Sequence, residues 1–260
     1  MARRAASRGR GRDRGPNIPL LVAAGIMVVG AIGGTRWYFK SVSAQLATDE
    51  ITGCLTKRQA PEAVMFLVDT TDKLTAENAR RIRIHIADIV NELPIYSKVI
   101  VVPFGGDIAV PLQPVFDQCV PGKAGDERLD QGALLLQQRY EQFEAVVEEL
   151  GKTLTEVSDA PSSPITNQVV RAVSDEVLHW DGEKRRLILI SDGLQSSKFR
   201  ATDGSLPAPP SSDFLKGVDA EYFEVGNQRY VARQTKQLRE GWRGWFESAG
   251  AQVKILAPGF

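Results

Sequence analysis

Two apolar segments that each end in an aspartate constrain the fold of this chain more than any other feature. The first, 64–68, is followed by Asp69, and the second, 187–191, is followed by Asp192. Apolar runs of this length with turn residues behind them are typical of parallel strands covered on both faces, and ligands bind at the carboxyl edge of such sheets. Two carboxylates at that edge repel each other unless a cation or a buried donor neutralises them. The pair therefore predicts a cation site.

Strand and helix patterns alternate after residue 62. Strands are predicted at 63–69, 98–104, 108–116, 186–192, 221–225 and 252–256, and helices at 79–93, 127–153, 165–179 and 229–249. Thr75 is the expected N-cap of the first helix, and Pro111 and Pro114 confine the third strand to an edge. Residues 195–216, rich in serine and proline, are predicted to be a surface loop. The pattern predicts an α/β fold, a doubly wound, mostly parallel sheet with helices on both faces.

The N-terminal part has the pattern of a membrane anchor. Residues 1–14 contain six arginines and one acid, Asp13, and residues 18–34 contain no charge. This apolar stretch is near the lower limit of the roughly 17 to 25 residues that cross a bilayer, and an aromatic belt at 37–39 follows it. Because positive charge stays in the cytoplasm, we expect a cytoplasmic tail at 1–17, a spanning helix at 18–39, a stalk at 40–61 and an exported domain at 62–260.

A cleavable signal peptide is the alternative, because Val42 and Ala44 precede Gln45 in a plausible cleavage geometry. The uncleaved anchor is favoured, since the apolar run is long for a signal peptide and two basic residues, Arg36 and Lys40, would precede the cut. The predicted location is the inner (cytoplasmic) membrane, with the N-terminus in the cytoplasm and the C-terminal domain in the periplasm or otherwise outside the cytoplasm.

The exported part is acidic. Residues 1–40 hold eight of the 32 basic residues and one of the 32 acidic ones, so the remainder has a net charge of −7. Such a domain is unsuited to nucleic acid or anionic lipid and compatible with cations or basic partners. Both cysteines, Cys54 and Cys119, lie in this part, where an oxidising compartment favours a disulfide. Two buried free thiols are the alternative.

With this order of elements, residues 60–257 resemble the von Willebrand factor A domain family, a doubly wound α/β fold with a metal-ion-dependent adhesion site. The segments that carry the resemblance are VMFLVDTT at 64–71, SSPIT at 162–166 and LILISDG at 187–193. In that family the first loop reads Asp-x-Ser-x-Ser, the second gives a threonine and the third an aspartate. The resemblance implies that Asp69, Thr71 and Asp192 ligate Mg²⁺, or Mn²⁺ or Ca²⁺.

The middle loop and the end of the first loop depart from the family's pattern. Either Ser163 or Thr166 could present the middle hydroxyl, and Ser163 is preferred because the apolar position expected later in the helix then falls on Val169. Lys73 stands where the second serine should be, and an ammonium cannot ligate a cation. The site is therefore degenerate. In the metal-free alternative, the two aspartates cap helices or turns and Lys73 balances their charge.

Two other functional classes fit less well. A phosphoesterase-type hydrolase of the haloacid dehalogenase kind needs a second aspartate two residues after Asp69, whereas the next acid is Asp72. His85 and His179 lie in predicted helices without a nucleophile pattern, so no catalytic residue is assigned. A wall-binding tether of the outer-membrane-protein-A type lacks its arginine motif here. The expected function is a membrane-anchored module that binds an unidentified protein partner, with or without a divalent ion.

Overall fold

The computed structural model describes most of the chain between Thr48 and Leu256, as residues 48–49, 51–71, 75–105, 107–121, 138, 140–145, 164–195, 205–225 and 232–256. The chain divides into two compact units, Met1–Leu46 and Ala47–Phe260. The predicted spanning segment at 18–39 lies outside the described residues. Among the described helices, none combines the length and the apolar character needed to cross a bilayer.

A six-stranded sheet forms the centre of the described unit. Its strands in chain order are β1 (Ala60–Asp69), β2 (Lys98–Phe104), β3 (Phe116–Cys119), β4 (Gly182–Ser191), β5 (Val218–Glu224) and β6 (Gln252–Leu256). In space the order is β3-β2-β1-β4-β5-β6. Only the β2–β3 pair is antiparallel among these strands. This is the order of a doubly wound sheet, in which the direction of winding reverses between β1 and β4. The predicted α/β class with a mostly parallel sheet is confirmed.

Helices pack on both faces of this sheet. Helix α1 (Ala76–Glu92) and a helical segment at 140–145 lie on one face, and α2 (Ile165–Ser174) and α3 (Ala232–Ser248) lie on the other. Side chains along a strand alternate between faces, and all six from Ala63 to Val68 are fully buried. The odd-numbered ones pack towards α2 and α3 and the even-numbered ones towards α1. Both apolar layers therefore depend on β1.

The structure corrects the prediction for residues 108–116. The edge strand is β3, and residues 107–115 form turns and irregular chain. Pro111 and Pro114 have no N–H to donate to a ladder, and the Asp107 carboxylate accepts the Ala109 N–H at 2.8 Å, which closes a local turn. Edge position was predicted correctly, but the strand lies further along the chain, where Phe116 and Cys119 are its buried residues.

Two other predicted elements differ in extent. The predicted helix at 165–179 ends at Ser174, and a short 3-10 helix, Glu176–Leu178, follows it. His179 comes after that helix with a left-handed φ of 43°, so it is not helical as predicted. Of the predicted helix at 127–153, only 138 and 140–145 are described, and these residues are helical. Within the predicted surface loop, Gln195 and Leu215 are buried.

Removing a ring from the central strand should destabilise the protein strongly. Phe66 is fully buried on β1, so Phe66→Ala should reduce the free energy of unfolding by about 3–5 kcal/mol, measured by urea denaturation. Val177 is 78% exposed, and the control Val177→Ala should change the value by less than about 0.5 kcal/mol. Equal effects of the two substitutions would contradict the assigned burial.

Candidate functional site

The carboxyl ends of β1 and β4 bring together the first group of polar side chains. Val68 and Ile190 are register partners, so the next residues, Asp69 and Ser191, stand side by side. Ser191 donates its hydroxyl to Asp69 Oδ2 at 2.8 Å. Thr71 donates both its N–H and its hydroxyl to Asp69 Oδ1, at 3.1 and 2.7 Å. Asp69 is only 7% exposed, and these donors stabilise its buried carboxylate.

The turn after β4 holds the second carboxylate. Asp192 Oδ1 accepts the Leu194 N–H at 2.9 Å, and Ser191 Oγ accepts the Gly193 N–H at the same distance. Trp242 of α3 donates its indole N–H to the Gly193 carbonyl at 3.0 Å. Gly193 has φ +78°, a conformation that favours glycine. The turn that carries Asp192 is thus held by its own backbone N–H groups, by Ser191 at the end of β4 and by Trp242 of α3.

Thr166, one of the two candidate hydroxyls of the middle loop, lies at the start of α2. Its N–H donates to Gln195 Oε1 at 2.9 Å, so it is joined to the chain that follows Asp192. Thr166 is 3% exposed, and its hydroxyl has no hydrogen-bond partner in the described part of the chain. A buried hydroxyl without a partner costs free energy. It is therefore a candidate to contact a ligand.

Tyr222 of β5 lies beneath this edge. The side chain is fully buried, and its hydroxyl makes no hydrogen bond to any described residue. Burial raises the pKa of the Tyr222 phenol well above its ordinary value, and nearby negative charge raises it further. That charge comes from the carboxylates of Glu224, Asp192 and Asp69. The phenol is therefore a neutral group close to three acidic side chains.

Glu224, the last residue of β5, supplies the third acid. It is 5% exposed and pairs with Arg239 of α3. Burial raises the pKa of Glu224 above its usual value, while the hydrogen bond and charge of Arg239 and the charge of Arg81 oppose that rise. The two arginines thus offset part of the cost of burying this carboxylate. Glu224 was not among the residues predicted from the sequence.

The structure places three of the four predicted ligands at one edge of the sheet. Asp69, Thr71 and Asp192 are there. Ser163 lies outside the described residues, and so does Lys73, which stands where the family has its second serine. Sequence reasoning missed Ser191, although a serine at the end of an otherwise apolar strand is a detectable signal. The described residues contain no cluster of three or more His, Cys, Asp or Glu side chains arranged for a metal.

The oxygen atoms at this edge nevertheless fit the coordination of a hard divalent cation. Such ions prefer carboxylate, hydroxyl and water oxygens, and this edge offers two carboxylates together with the hydroxyls of Thr71, Ser191 and Thr166. A hydroxyl that donates to Asp69 keeps lone pairs with which to ligate an ion. The buried Thr166 hydroxyl supports this fit, because it has no other partner among the described residues.

An apolar loop borders the site. Phe104 at the end of β2 is the register partner of Asp69, and the loop that follows exposes Ile108 and Val110, 48% and 58% accessible. Two side chains of α2 hold this loop. Gln168 donates to the Gly105 carbonyl at 3.1 Å, and Arg171 donates to the Val110 carbonyl at 2.9 Å. The loop therefore presents aliphatic side chains from a fixed backbone.

The two histidines have structural contacts. His85 of α1 pairs with Glu221 of β5 and stacks on Phe223, with ring centroids 4.4 Å apart. This pair joins the helix to the sheet. The His179 carbonyl accepts a hydrogen bond from Lys98 at 3.1 Å.

A side chain at position 193 should disturb the Asp192 turn. An added Cβ would lie 2.3 Å from the Tyr222 hydroxyl. Gly193→Ala should therefore reduce the free energy of unfolding by about 1–2 kcal/mol through its left-handed backbone and by about 1–3 kcal/mol through overpacking. Tyr222→Phe alone should be neutral or stabilising, because the deleted hydroxyl has no partner among the described residues.

The double variant Gly193→Ala/Tyr222→Phe completes a thermodynamic cycle, measured by chemical denaturation. It should recover much of the overpacking loss but not all of it, because Trp242 Nε1 and Tyr222 Cζ would still lie 3.0 and 3.2 Å from the added Cβ, and it should leave the backbone part. Strict additivity of the two substitutions would contradict the proposed contact.

The buried Glu224 should make stability depend on pH. Because its pKa is higher in the folded state, its stabilising contribution is present below the usual value of 4.5 and is lost as pH rises through the raised value. The difference in unfolding free energy between wild type and Glu224→Gln should therefore decline as pH rises above about 4.5 in urea titrations. A flat or rising difference would contradict this sign. Glu247→Gln, at an exposed position of α3, is the control.

Comparison with known proteins assigns no family to the chain. No family model matches the chain, and no curated protein matches it. Among solved structures, the chain is similar to the human COPII-coat protein Sec24c, with a TM-score of 0.43 and 11% sequence identity. The match covers 79% of this chain and 31% of that one.

Proposed function

We propose that the unit Ala47–Phe260 is a von Willebrand factor A-like domain that binds a protein partner through a divalent cation held at the carboxyl edge of its sheet. The proposal rests on the hydrogen bond from the Ser191 hydroxyl to Asp69, which lies where the winding of the sheet reverses between β1 and β4. Asp192 is the residue after Ser191. Ligands of doubly wound sheets bind at this point. The sequence motifs at 64–71 and 187–193 supply the same residues.

Asp69, Thr71 and Asp192 would hold the ion, with Ser163 or Thr166 from the middle loop. Mg²⁺ is the best match, because it is bound by one or two carboxylates and keeps several waters, and Mn²⁺ or Ca²⁺ are alternatives. When bound, the ion would supply an open coordination position for a carboxylate of the partner. The role of the protein residues is to hold the two carboxylates close together and to limit their contact with water.

The loop at 107–115 supports a protein as the partner. Exposed aliphatic side chains bordered by polar groups are typical of protein contact surfaces, in which an apolar area has a polar rim. Ile108, Val110 and Val115 are each at least 40% exposed on this loop. The backbone contacts of Gln168 and Arg171 hold the loop in place before a partner binds. Less conformational entropy is then lost on binding.

The location proposed for this domain is outside the cytoplasm, with residues 18–39 as a single membrane anchor and residues 1–17 in the cytoplasm. The charge asymmetry of the first 40 residues supports this topology. The Cys54–Cys119 disulfide supports an oxidising compartment. The domain would thus tether or assemble an envelope partner at the membrane surface.

A metal-free scaffold is the second candidate function. Both oxygens of Asp69 already accept hydrogen bonds from hydroxyls, so this carboxylate is satisfied without an ion. Lys73 at the position of a family ligand favours the same alternative. In that case the loops 107–115 and 205–216 would bind the partner directly.

Isothermal titration of Mg²⁺, Mn²⁺ and Ca²⁺ into the full-length protein in mild detergent separates the two candidates. We expect saturable binding that Asp192→Ala weakens by at least about tenfold, because one of two carboxylate ligands is lost. Thr166→Val should also weaken binding if its hydroxyl is the middle-loop ligand, and Ser163→Ala should do so if the serine is. Asp219→Ala, an exposed carboxylate near the opposite end of β5, should have no effect.

Absence of binding by wild type, or equal binding by wild type and Asp192→Ala, would refute the cation site. Affinity capture from envelope extract then tests the partner. A protein retained by wild type in Mg²⁺, released by chelator and not retained by Asp192→Ala would support docking through the ion. Retention of the same proteins by both forms would favour the metal-free scaffold.

A further inference from the structure

Residues 48–49 and 51–55, named the strap here, form a turn ahead of β1. Its centre is the Asp49 carboxylate, which accepts the N–H of Ile51 at 3.0 Å and the N–H and hydroxyl of Thr52 at 2.7 and 2.9 Å. The Asp49 backbone also bonds to Gly53 and Cys54. A bridge between Thr48 and Leu55 joins the two ends. The strap is thus organised largely by its own hydrogen bonds.

Two bonds join the strap to β3. One is the disulfide between Cys54 and Cys119. The other is the hydrogen bond from the Cys119 N–H to the Thr52 carbonyl, 2.8 Å long. Gly53 passes close to the same strand, because a Cβ built on it would lie 3.7 Å from the Cys119 carbonyl.

The hydrogen bond from Cys119 lies on the open side of β3. Successive N–H groups of a strand point to opposite edges. Val120 donates its N–H to Ser97, next to β2, at 2.9 Å, so the Cys119 N–H points away from β2. β3 ends the described sheet on this side. The strap therefore covers part of a sheet edge that would otherwise offer an unpaired backbone donor.

Burial contributes little to the attachment of the strap. None of its described residues is buried, and Ile51 at its tip is 86% exposed. Without the disulfide, the hydrogen bond from the Cys119 N–H to the Thr52 carbonyl, at a solvent-facing edge, would be the main link between the strap and β3 among the described residues. Such a bond opens readily when no covalent link keeps its partners close together.

We propose that the strap is a redox-operated cover of the β3 edge, closed when Cys54 and Cys119 are bonded and released when they are reduced. A dithiol reductant supplies two electrons and two protons. The S–S bond breaks to give two thiols, and the reductant becomes its own disulfide. Release of the strap removes the Thr52 carbonyl from Cys119 and leaves that N–H open to solvent or to another strand.

The closed form is the one expected in an oxidising compartment, and the open form is the one expected in a reducing cytosol. Whether the strap covers the β3 edge would therefore depend on the compartment in which the domain is located. The inference concerns the disulfide and the strap alone, so it stands or fails independently of the proposed cation site.

Hydrogen exchange at single amides tests the proposal on the full-length protein in detergent, oxidised and after dithiothreitol. The Cys119 amide should exchange at least about tenfold faster after reduction, because it loses the acceptor that protects it. The neighbouring Val120 amide, bonded towards β2, is the internal control and should be unchanged. Cys54→Ser without reductant should reproduce the reduced pattern.

Two results would overturn the proposal. Unchanged protection of Cys119 after reduction would mean that the strap stays in place without the disulfide, and equal acceleration at Cys119 and Val120 would mean that β3 as a whole opens. Asp49→Ala, which loosens the turn and keeps the disulfide, separates the contribution of the disulfide from that of the Asp49 hydrogen bonds. Its Cys119 amide should stay protected in the oxidised protein, and loss of protection would assign the cover to the turn instead.

Discussion

The burial of β1 on both faces is the constraint on which the rest of the structure depends. Its six residues from Ala63 to Val68 are inaccessible to solvent, and each contributes to one of the two apolar layers. A shift of one residue in its pairing with β2 or β4 would exchange the two sets of side chains. The register is therefore strongly specified. Asp69 follows directly, so the same packing that fixes the core also fixes the first carboxylate of the site.

The carboxyl edge concentrates polar groups that are costly to bury. Asp69 is stabilised by hydroxyls and Glu224 by an arginine, whereas the Thr166 and Tyr222 hydroxyls have no partner among the described residues. Buried polar groups in folded proteins are nearly always hydrogen-bonded, and exceptions often mark functional sites. Of the two hydroxyls without a partner among the described residues, that of Thr166 is the candidate to contact a ligand, while Tyr222 is enclosed beneath the edge.

The sequence predicts the elements whose pattern is local. β2 and β6 have their predicted bounds, and the N-cap of α1 is Thr75 as expected, because apolar runs and caps depend on neighbouring residues. The edge strand β3 was predicted at the wrong residues, since its short sequence Phe116–Cys119 contains two polar residues and its pairing depends on β2. Asp69 and Asp192 could be assigned to one edge from topology alone. Ser191 carried a detectable signal at the end of its apolar strand, whereas the contributions of Tyr222 and Glu224 depend on contacts between distant segments and could not be predicted.

The indole of Trp242 connects the candidate site to helix α3. Its N–H holds the Gly193 carbonyl, and its ring packs among Tyr222, Trp245 and Phe246. A displacement of the Asp192 turn would therefore be passed to an aromatic cluster that has little free space. The Asp192 turn and the packing of helix α3 against the sheet are therefore tied together, and a substitution that shifts one should disturb the other.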